Sequence, residues 1–311
     1  MQVEKEGFDY VWITDHFNNR NVYVTLTMIS NYTDRISLGP GVTNPYLVHP
    51  VVTGQILASL DEIAPGRVVC GLGIGDKTAL NLLNIHRRKP LSIMREAIHI
   101  IREISSGKNV EFEGLFYKVV GSRLNFSPSK PIPIFVGAQG PKMISLAAEL
   151  GDGVLVNASH PKAFEKARTH INEGILKAGK AIKDIEIAAT TCFSISRDVK
   201  AAEKAAKPVV AFIVAGSSDT ILQEQGISIE LVKQIRTSIN HAKFFEALST
   251  VKPEMMDAFS IFGTPEICVE KIHNLTKAGI TLFIAGSPLG PDIRNSIELI
   301  SKEIIPHFKN T

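Results

Sequence analysis

The feature that most constrains the fold of this chain is a recurring alternation of short apolar runs with helical segments. The apolar runs are nearly uninterrupted, as in residues 67–73, 132–136 and 153–157. Such runs are typical of parallel strands that helices cover on both faces. Seven of these units are recognisable, and this number favours a barrel over an open sheet. The sequence therefore predicts an α/β fold of the (β/α)8 TIM barrel type.

Three segments depart from the alternation. Residues 1–7 look like the last turns of a helix closed by a glycine, so we expect the first barrel strand to be missing from the sequence. Residues 111–130 alternate enough to predict a hairpin lid or a loop. Residues 198–262 are mostly helical in pattern, and Asp198 is a candidate N-cap of their first helix. We therefore expect residues 1–311 to form a single barrel domain with a helical insertion at about 198–262.

Composition and charge exclude several classes of protein. The 311 residues are 44% hydrophobic, which is enough for one large core. The 34 Lys and Arg against 31 Asp and Glu give a net charge of +3, which is too small to indicate a nucleic-acid partner. The longest apolar run, residues 209–215, is too short to span a membrane, and no signal peptide is recognisable. Three widely spaced cysteines, Cys70, Cys192 and Cys268, indicate buried reduced thiols in a cytoplasmic protein.

The ends of the strands carry the most unusual residues. Residues 39–45, Gly-Pro-Gly-Val-Thr-Asn-Pro, follow the second strand and interrupt it, because glycine frees the backbone and proline removes a donor. They predict a bulge that a flat ligand could approach, or a simple turn. Similar groups end other strands, at residues 14–16, 73–76, 137–140, 157–159 and 286–290. Because barrel enzymes place their active sites at the carboxyl ends of the strands, we expect one shared site.

Several of these groups also have a plainer structural interpretation. Residues 137–140 precede a predicted helix start, where free backbone N–H groups suit a phosphate or a carboxylate, but a plain loop explains them equally well. Asp15 could cap a helix and leave His16 in solvent. Asp76 could cap the helix that follows it instead of contacting a substrate.

No motif for catalysis by the protein alone is recognisable. Residues 71–75 contain Gly-x-Gly-x-Gly, but the third glycine of a dinucleotide fingerprint is not in its place, which excludes a Rossmann domain. The sequence has no metal-ligand spacing, no Gly-x-Ser-x-Gly elbow and no P-loop. We therefore expect no metal and look to an organic cofactor for the chemistry.

Four motifs carry a family resemblance. They are residues 10–16 (Tyr-Val-Trp-Ile-Thr-Asp-His), 38–45 (Leu-Gly-Pro-Gly-Val-Thr-Asn-Pro), 137–141 (Gly-Ala-Gln-Gly-Pro) and 285–292 (Ala-Gly-Ser-Pro-Leu-Gly-Pro-Asp). Together they resemble the 5,10-methylenetetrahydromethanopterin reductase family of methanogenic archaea, which belongs to the bacterial luciferase-like group of barrels. The resemblance extends over essentially the whole chain.

The resemblance implies a hydride transfer from reduced coenzyme F-420, a deazaflavin, to the methylene carbon of methylenetetrahydromethanopterin. This reaction gives the methyl form in methanogenesis and one-carbon metabolism. The resemblance also implies a cis peptide between Gly41 and Val42 that supports the deazaflavin ring. The residues bordering the ring would be Asp15, His16, Thr43 and Asn44, and those holding the phosphate-bearing tail would be Gly137, Ala138, Gln139, Gly140, Asn157 and Ala158. A catalytic acid is expected near the end of the first barrel strand, so none is assigned.

Two other functions are consistent with the sequence. One is an FMN- and oxygen-dependent monooxygenase of the same superfamily, and the other is a flavin-binding or structural barrel without catalysis. The family resemblance also implies a homodimer or homotetramer, with the pterin substrate as its small-molecule partner.

Overall fold

The computed structural model describes residues 2–309, apart from the side chain of Thr78. These residues form ten strands and fourteen α-helices. The chain divides into two compact units, the first comprising residues up to Leu155 together with Thr169–Glu186. The second comprises Val156–Arg168 and the residues from Ile187 onwards. A single domain over residues 1–311 with an insertion at about 198–262 stays a prediction.

The first unit begins with alternating helices and strands. Its strands are β1 (Tyr10–Ile13), β2 (Ser37–Pro40), β3 (Cys70–Leu72), β4 (Val110–Glu113), β5 (Lys118–Ser122) and β6 (Ile134–Ala138). Its helices are α1 (Gln2–Lys5), α2 (Val22–Ser30), α3 (Pro50–Ile63), α4 (Lys77–Leu82), α5 (Pro90–Ser105) and α6 (Pro141–Leu150). Strand β7 (Gly153–Asn157) and helix α7 (Pro161–Ala178) contain residues of both units.

Parallel pairing brings the carboxyl ends of the first strands to one edge. Strand β1 pairs in parallel with β2, and β3 pairs in parallel with β6. Two isolated parallel bridges connect β2 and the residues after it to β3 and the residues before it. They pair Leu38 with Val68 and Thr43 with Leu72. Since all these neighbours are parallel, the segments that follow β1, β2, β3 and β6 emerge at the same edge. This arrangement confirms the parallel sheet that the apolar runs predict.

One aromatic side chain fills the space over the strands of the first unit. The ring of Trp12 on β1 makes an edge-to-face contact with Phe135 on β6, at 5.3 Å between ring centroids. A Cβ built on Gly41 would lie 2.8 Å from the Cβ of Trp12, and one built on Gly71 would lie 3.1 Å from its Cζ3. Glycine at position 41 therefore permits the close approach of Trp12, whereas glycine at position 71 chiefly clears the carbonyl oxygen of Pro40, with which a Cβ would collide.

A hairpin occupies the segment that is predicted to be a hairpin lid or a loop. Strands β4 and β5 pair antiparallel, and their turn is attached to helix α5 by Glu96. This buried carboxylate accepts the backbone N–H groups of Leu115, Phe116 and Tyr117 at 2.8, 2.9 and 3.1 Å. Three charge-assisted bonds to one side chain fix the turn. Whether the hairpin acts as a lid stays a prediction.

The second unit contains a further set of parallel strands and most of the helical segment. Its strands are β8 (Glu186–Ile195), β9 (Ser260–Gly263) and β10 (Leu282–Leu289). The first residue of β8, Glu186, is counted in the first unit. Its helices are α8 (Val199–Gly216), α9 (Asp219–Glu224), α10 (Ile229–Asn240), α11 (Phe244–Thr250), α12 (Pro253–Phe259), α13 (Pro265–Lys277) and α14 (Ile293–Leu299). Both β9 and β10 pair with β8 in parallel.

The helical segment forms as predicted, with one strand at its end that was not predicted. Asp198 caps α8 by accepting the N–H groups of Lys200 and Ala201 at 2.9 and 3.3 Å. Helices α8 to α12 pack around an apolar cluster that includes Val210 and Met255, both inaccessible to solvent. Strand β9 then begins within the predicted helical range and pairs with the last residues of β8.

The cysteines lie inside the molecule. All three are buried free thiols, as predicted. Burial raises the pKa of each thiol to about 12, because the apolar surroundings disfavour the thiolate. No helix in residues 2–309 combines the length and the apolar character that crossing a membrane requires.

Candidate functional site

The loop that follows β2 has the backbone that the family resemblance implies. The peptide between Gly41 and Val42 is cis. Gly41 N donates to the carbonyl of Ile13 at 2.7 Å, and Thr43 N donates to the carbonyl of Gly71 at 2.9 Å. These bonds tie the interrupted strand to both of its neighbours. The structure thus confirms the cis geometry, while contact of this peptide with a ring stays a prediction.

Val42 brings three strand ends together. Its methyl groups lie 3.7 Å from a Cβ built on Gly137, at the end of β6. A Cβ built on Gly73, just beyond β3, would collide with the same side chain at 2.5 Å. Because glycine at both positions removes this obstruction, the loop after β2 packs directly against the ends of β3 and β6. Residues 41–42 and 137 therefore meet at one edge, as expected.

Asp15 is held by a side chain of this loop. The buried Thr43 donates from Oγ1 to Oδ2 of Asp15 at 2.7 Å, and Tyr23 donates from its phenol to Oγ1 of Thr43 at 3.2 Å. The alternative role of Asp15 as a helix cap is wrong, because Asn21 caps α2 by accepting the N–H groups of Tyr23 and Val24. The carboxylate is therefore engaged with the strand-end loop and not with a helix.

The other two side chains predicted at the ring are placed by local bonds. His16 accepts the N–H of Asn18 at Nδ1, at 3.3 Å, and stacks on Phe17 with ring centroids 5.0 Å apart. The buried Asn44 accepts the N–H groups of Tyr46 and Leu47 at 3.2 Å, which closes the turn after the bulge. Asn44 thus has an evident structural role beside its predicted one.

The start of α6 presents open backbone. Gly140 is the N-cap, Pro141 follows it, and no side chain caps the helix. Gln139 and Gly140 are exposed, and a Cβ built on Gly140 would meet nothing within 4 Å. Pro141 has no N–H, and the N–H groups of Met143 and Ile144 donate to the carbonyl of Gly140 at 3.0 Å, so the N–H of Lys142 and the positive end of the helix dipole are what the helix start offers to an anion. Asp76 differs, because it caps α4 by accepting the N–H of Ala79 at 2.7 Å, as its alternative interpretation predicts.

Two predicted site residues belong to the second unit. Asn157 is exposed at the end of β7. Ala158 follows it, and its carbonyl accepts the hydroxyl of Thr191 at 3.0 Å. Their contact with the tail of a coenzyme stays a prediction.

The residues of the first unit fit a flat, partly polar ring with an anionic extension. The loop after β2 supplies backbone and the Val42 methyls, Asp15 supplies a carboxylate acceptor, and α6 supplies the positive end of its dipole. The buried indole N–H of Trp12 has no hydrogen-bond partner among the described residues. No cluster of three or more metal-ligating side chains occurs within the described part of the chain. The site is therefore suited to an organic cofactor.

Sequence reasoning missed two tyrosines that support the site. Tyr23 stands in the first turn of α2, and Tyr117 stands at the end of the hairpin turn and donates to the carbonyl of Pro45 at 2.6 Å. Neither belongs to a motif. Tyr23 is partly buried on a helix that flanks the site, and no sequence signal singled it out.

Comparison with known proteins gives the family. Residues 1–282 match the luciferase-like monooxygenase family. The chain belongs to this family, and its α/β fold is of the luciferase-like type. Within the family it groups with the 5,10-methylenetetrahydromethanopterin reductases, so the resemblance stated from the four motifs is confirmed.

The relatives match nearly the whole chain. The 5,10-methylenetetrahydromethanopterin reductase of Archaeoglobus fulgidus is 49% identical over 310 residues, which cover 98% of this chain and 93% of the relative. The reductase of Methanolobus tindarius is 46% identical over 303 residues, which cover 97% and 93%. The structure of coenzyme F-420 dependent tetrahydromethanopterin reductase from Methanopyrus kandleri superimposes with a TM-score of 0.94 at 41% identity, covering 99% of this chain and 93% of that one.

Proposed function

We propose that this chain is a coenzyme F-420-dependent oxidoreductase that reduces 5,10-methylenetetrahydromethanopterin to 5-methyltetrahydromethanopterin, in methanogenesis and one-carbon metabolism. The observation that carries the proposal is the full-length similarity to reductases of this name, at 49% identity in the Archaeoglobus fulgidus protein. The reduced coenzyme supplies the hydride that the methylene carbon of the pterin accepts.

The residues of the first unit bind and orient the ring of the coenzyme. Val42, packed against Gly137, forms a wall of backbone and methyl groups. Asp15 offers a carboxylate acceptor to ring N–H groups, and His16 and Asn44 border the ring. Such a site would hold the coenzyme and the pterin in a fixed relative orientation, which lowers the barrier to a hydride transfer. The catalytic acid is not assigned to any residue of this chain.

The open start of α6 holds the anionic tail. The N–H of Lys142 and the positive end of the helix dipole stabilise a phosphate without a cluster of basic side chains. Gly137, Ala138 and Gln139 directly precede Gly140 and are proposed to contact the same tail. Asn157 and Ala158 are proposed to contribute to the same binding function.

Several larger features are proposed from the family. The fold is proposed to be the eight-stranded barrel of luciferase-like proteins. The protein associates as a homodimer or homotetramer, acts in the cytoplasm, and takes the pterin as its small-molecule partner without nucleic acid or membrane.

The decisive experiment follows the absorbance of oxidised coenzyme F-420 after reduced coenzyme and methylenetetrahydromethanopterin are mixed with the protein without oxygen. Oxidation that needs both the protein and the pterin supports the proposal. Matched samples contain FMN and oxygen in place of the coenzyme, or lack the pterin. Binding of FMN with no binding of coenzyme F-420 would overturn the proposal in favour of a monooxygenase. Binding of the coenzyme without pterin-dependent oxidation would contradict catalysis by this chain.

A further inference from the structure

Three hydroxyl and carboxyl groups from separate parts of the first unit form a continuous chain of hydrogen bonds. Tyr23 Oη lies 3.2 Å from Thr43 Oγ1, and Thr43 Oγ1 lies 2.7 Å from Asp15 Oδ2. Tyr23 comes from the first turn of α2, Thr43 from the loop after β2 and Asp15 from the segment after β1. Thr43 is 1% exposed, so water has little access to the middle of this relay.

The direction of the relay is fixed by its chemistry. A threonine hydroxyl carries one proton and accepts at its lone pairs, and a carboxylate only accepts. Thr43 therefore donates to Asp15, and the remaining bond to Thr43 must come from Tyr23. Burial raises the pKa of the Tyr23 phenol, which keeps it protonated as a donor. The Thr43 hydroxyl therefore accepts a hydrogen bond from the Tyr23 phenol and donates its own proton to Asp15.

Both donors are anchored through their backbones. Asn21 Oδ1 accepts the N–H of Tyr23 at 3.0 Å, and Thr27 Oγ1 donates to the carbonyl of Tyr23 at 2.9 Å. Thr43 N donates to Gly71 O at 2.9 Å, and Gly73 N donates to Thr43 O at 2.8 Å. The side chain of Asp15 is therefore the part of the relay that the other two residues position.

We propose that Tyr23 is a positioning residue for the coenzyme. Through Thr43 it holds the Asp15 carboxylate by Oδ2 in the orientation that leaves Oδ1 to accept a ring N–H of the bound deazaflavin. This inference rests on the proposed function, because it assigns the ligand of Asp15. Tyr23 itself does not touch the reacting atoms.

The test measures binding of the reduced coenzyme separately from turnover. Trp12 is the one tryptophan of the chain and lies against Gly41, so quenching of its fluorescence reports coenzyme binding. Tyr23→Phe and Thr43→Val are expected to raise both the Kd and the KM of the coenzyme by about three- to tenfold, the effect of one lost hydrogen bond. The value of kcat is expected to change by less than about twofold, because the bond is equally present before and during the reaction.

Two matched variants separate positioning from folding. Thr43→Ser keeps the hydroxyl and is expected to retain binding within about twofold of the parent protein. Ser30→Ala removes a hydroxyl at the end of α2 that donates only to the carbonyl of Thr27 in its own helix, and it is expected to leave the Kd unchanged. The double variant Tyr23→Phe with Thr43→Val is expected to bind no more weakly than Thr43→Val alone, because both residues act through one relay.

The outcomes distinguish this inference from the function on which it rests. If the unaltered protein neither binds nor oxidises the coenzyme, the proposed function fails before any variant is made. If it binds and turns over, and Tyr23→Phe has the parent's thermal stability and Kd, the positioning role is wrong. If Tyr23→Phe unfolds, Asp15→Asn decides the question. A Kd for Asp15→Asn equal to that of the parent overturns the proposal, and a raised Kd with unchanged stability supports it.

Discussion

The phenol of Tyr117 donates to the carbonyl oxygen of Pro45 at 2.6 Å, which links the hairpin turn to the loop after β2. The ring of Tyr117 also meets His49 edge to face, at 5.1 Å between centroids. Glu96 fixes the same turn from the other side through three backbone N–H groups. The strand-end loop of the candidate site is therefore supported from outside by the hairpin.

Removal of this phenol should loosen the hairpin. Tyr117→Phe is expected to lower the free energy of unfolding by about 1 kcal/mol, because the Pro45 carbonyl loses its short bond. Amide hydrogen exchange should become faster within residues 110–122. Tyr46→Phe, which removes a bond to the carbonyl of Arg88, serves as the control and should leave exchange in the hairpin unchanged. Equal exchange in the Tyr117→Phe variant and the parent would show that the bond does not hold the hairpin.

The pair of Arg95 and Glu149 predicts a pH dependence of stability. Two bonds of 2.6 and 3.0 Å join the side chains, and the Arg95 guanidinium holds the pKa of Glu149 below its ordinary value of 4.5. Because the folded pKa is the lower one, the stabilisation is present above the unfolded pKa and is lost as the pH falls through the folded one. Arg95→Gln is expected to lower the free energy of unfolding by roughly 0.5 kcal/mol at pH 7, since Arg95 is half exposed.

The same substitution should have no effect in acid. At a pH below the lowered folded-state pKa of Glu149 the carboxyl is protonated in both proteins, so their denaturation curves should coincide. Lys302→Gln removes an exposed pair with Glu298 and is expected to change stability little at either pH. An equal deficit of the Arg95 variant at pH 7 and at this acidic pH would rule out the ion pair as its cause.

The buried thiols predict a simple chemical test. With their pKa values raised to about 12 and their side chains buried, Cys70, Cys192 and Cys268 should not react with a disulfide reagent at pH 8 in the folded protein. All three should react once denaturant unfolds the chain. A thiol that reacts rapidly without denaturant would contradict the burial of that cysteine.

A methyl group at Gly140 tests the proposed tail site. Gly140 has a φ of −91° and open space around it, so Gly140→Ala should change the free energy of unfolding by less than about 1 kcal/mol. The added methyl lies where an anionic tail would approach, and the Kd of coenzyme F-420 should rise by about tenfold. Gly216→Ala, also in open space but at the end of α8, is the control and should bind normally. Unchanged binding by the Gly140 variant would place the tail elsewhere.

Much of the fold could be predicted from the sequence because the buried parallel strands are nearly continuous apolar runs. All seven predicted strands are present, and the hairpin and the cap by Asp198 are found where they were expected. Strand β9 was missed, since four residues directly after a helix carry no alternation and no turn signal. Its pairing with β8 is set by tertiary contacts and not by local preference.

The candidate site could be predicted only in part. The glycine and proline pattern indicated the interrupted backbone at Gly41, and the strand ends indicated Asp15 and Thr43. The bonds of Tyr23 to Thr43 and of Tyr117 to Pro45 span 20 and 72 residues of sequence. Partners so distant meet only through the packing of helix and hairpin on the strands, which no local pattern encodes.

The close approach of Trp12 and Gly41 has a consequence for how this sequence can diverge. The two Cβ positions would be 2.8 Å apart, closer than real side chains come, so a side chain at one position excludes a side chain at the other. A side chain at position 41 would therefore force the backbone of β1 and the loop after β2 to move apart. Because the contact is with the Cβ of Trp12 and not with its ring, replacing Trp12 by any residue that keeps a Cβ would leave this restriction on position 41 in place.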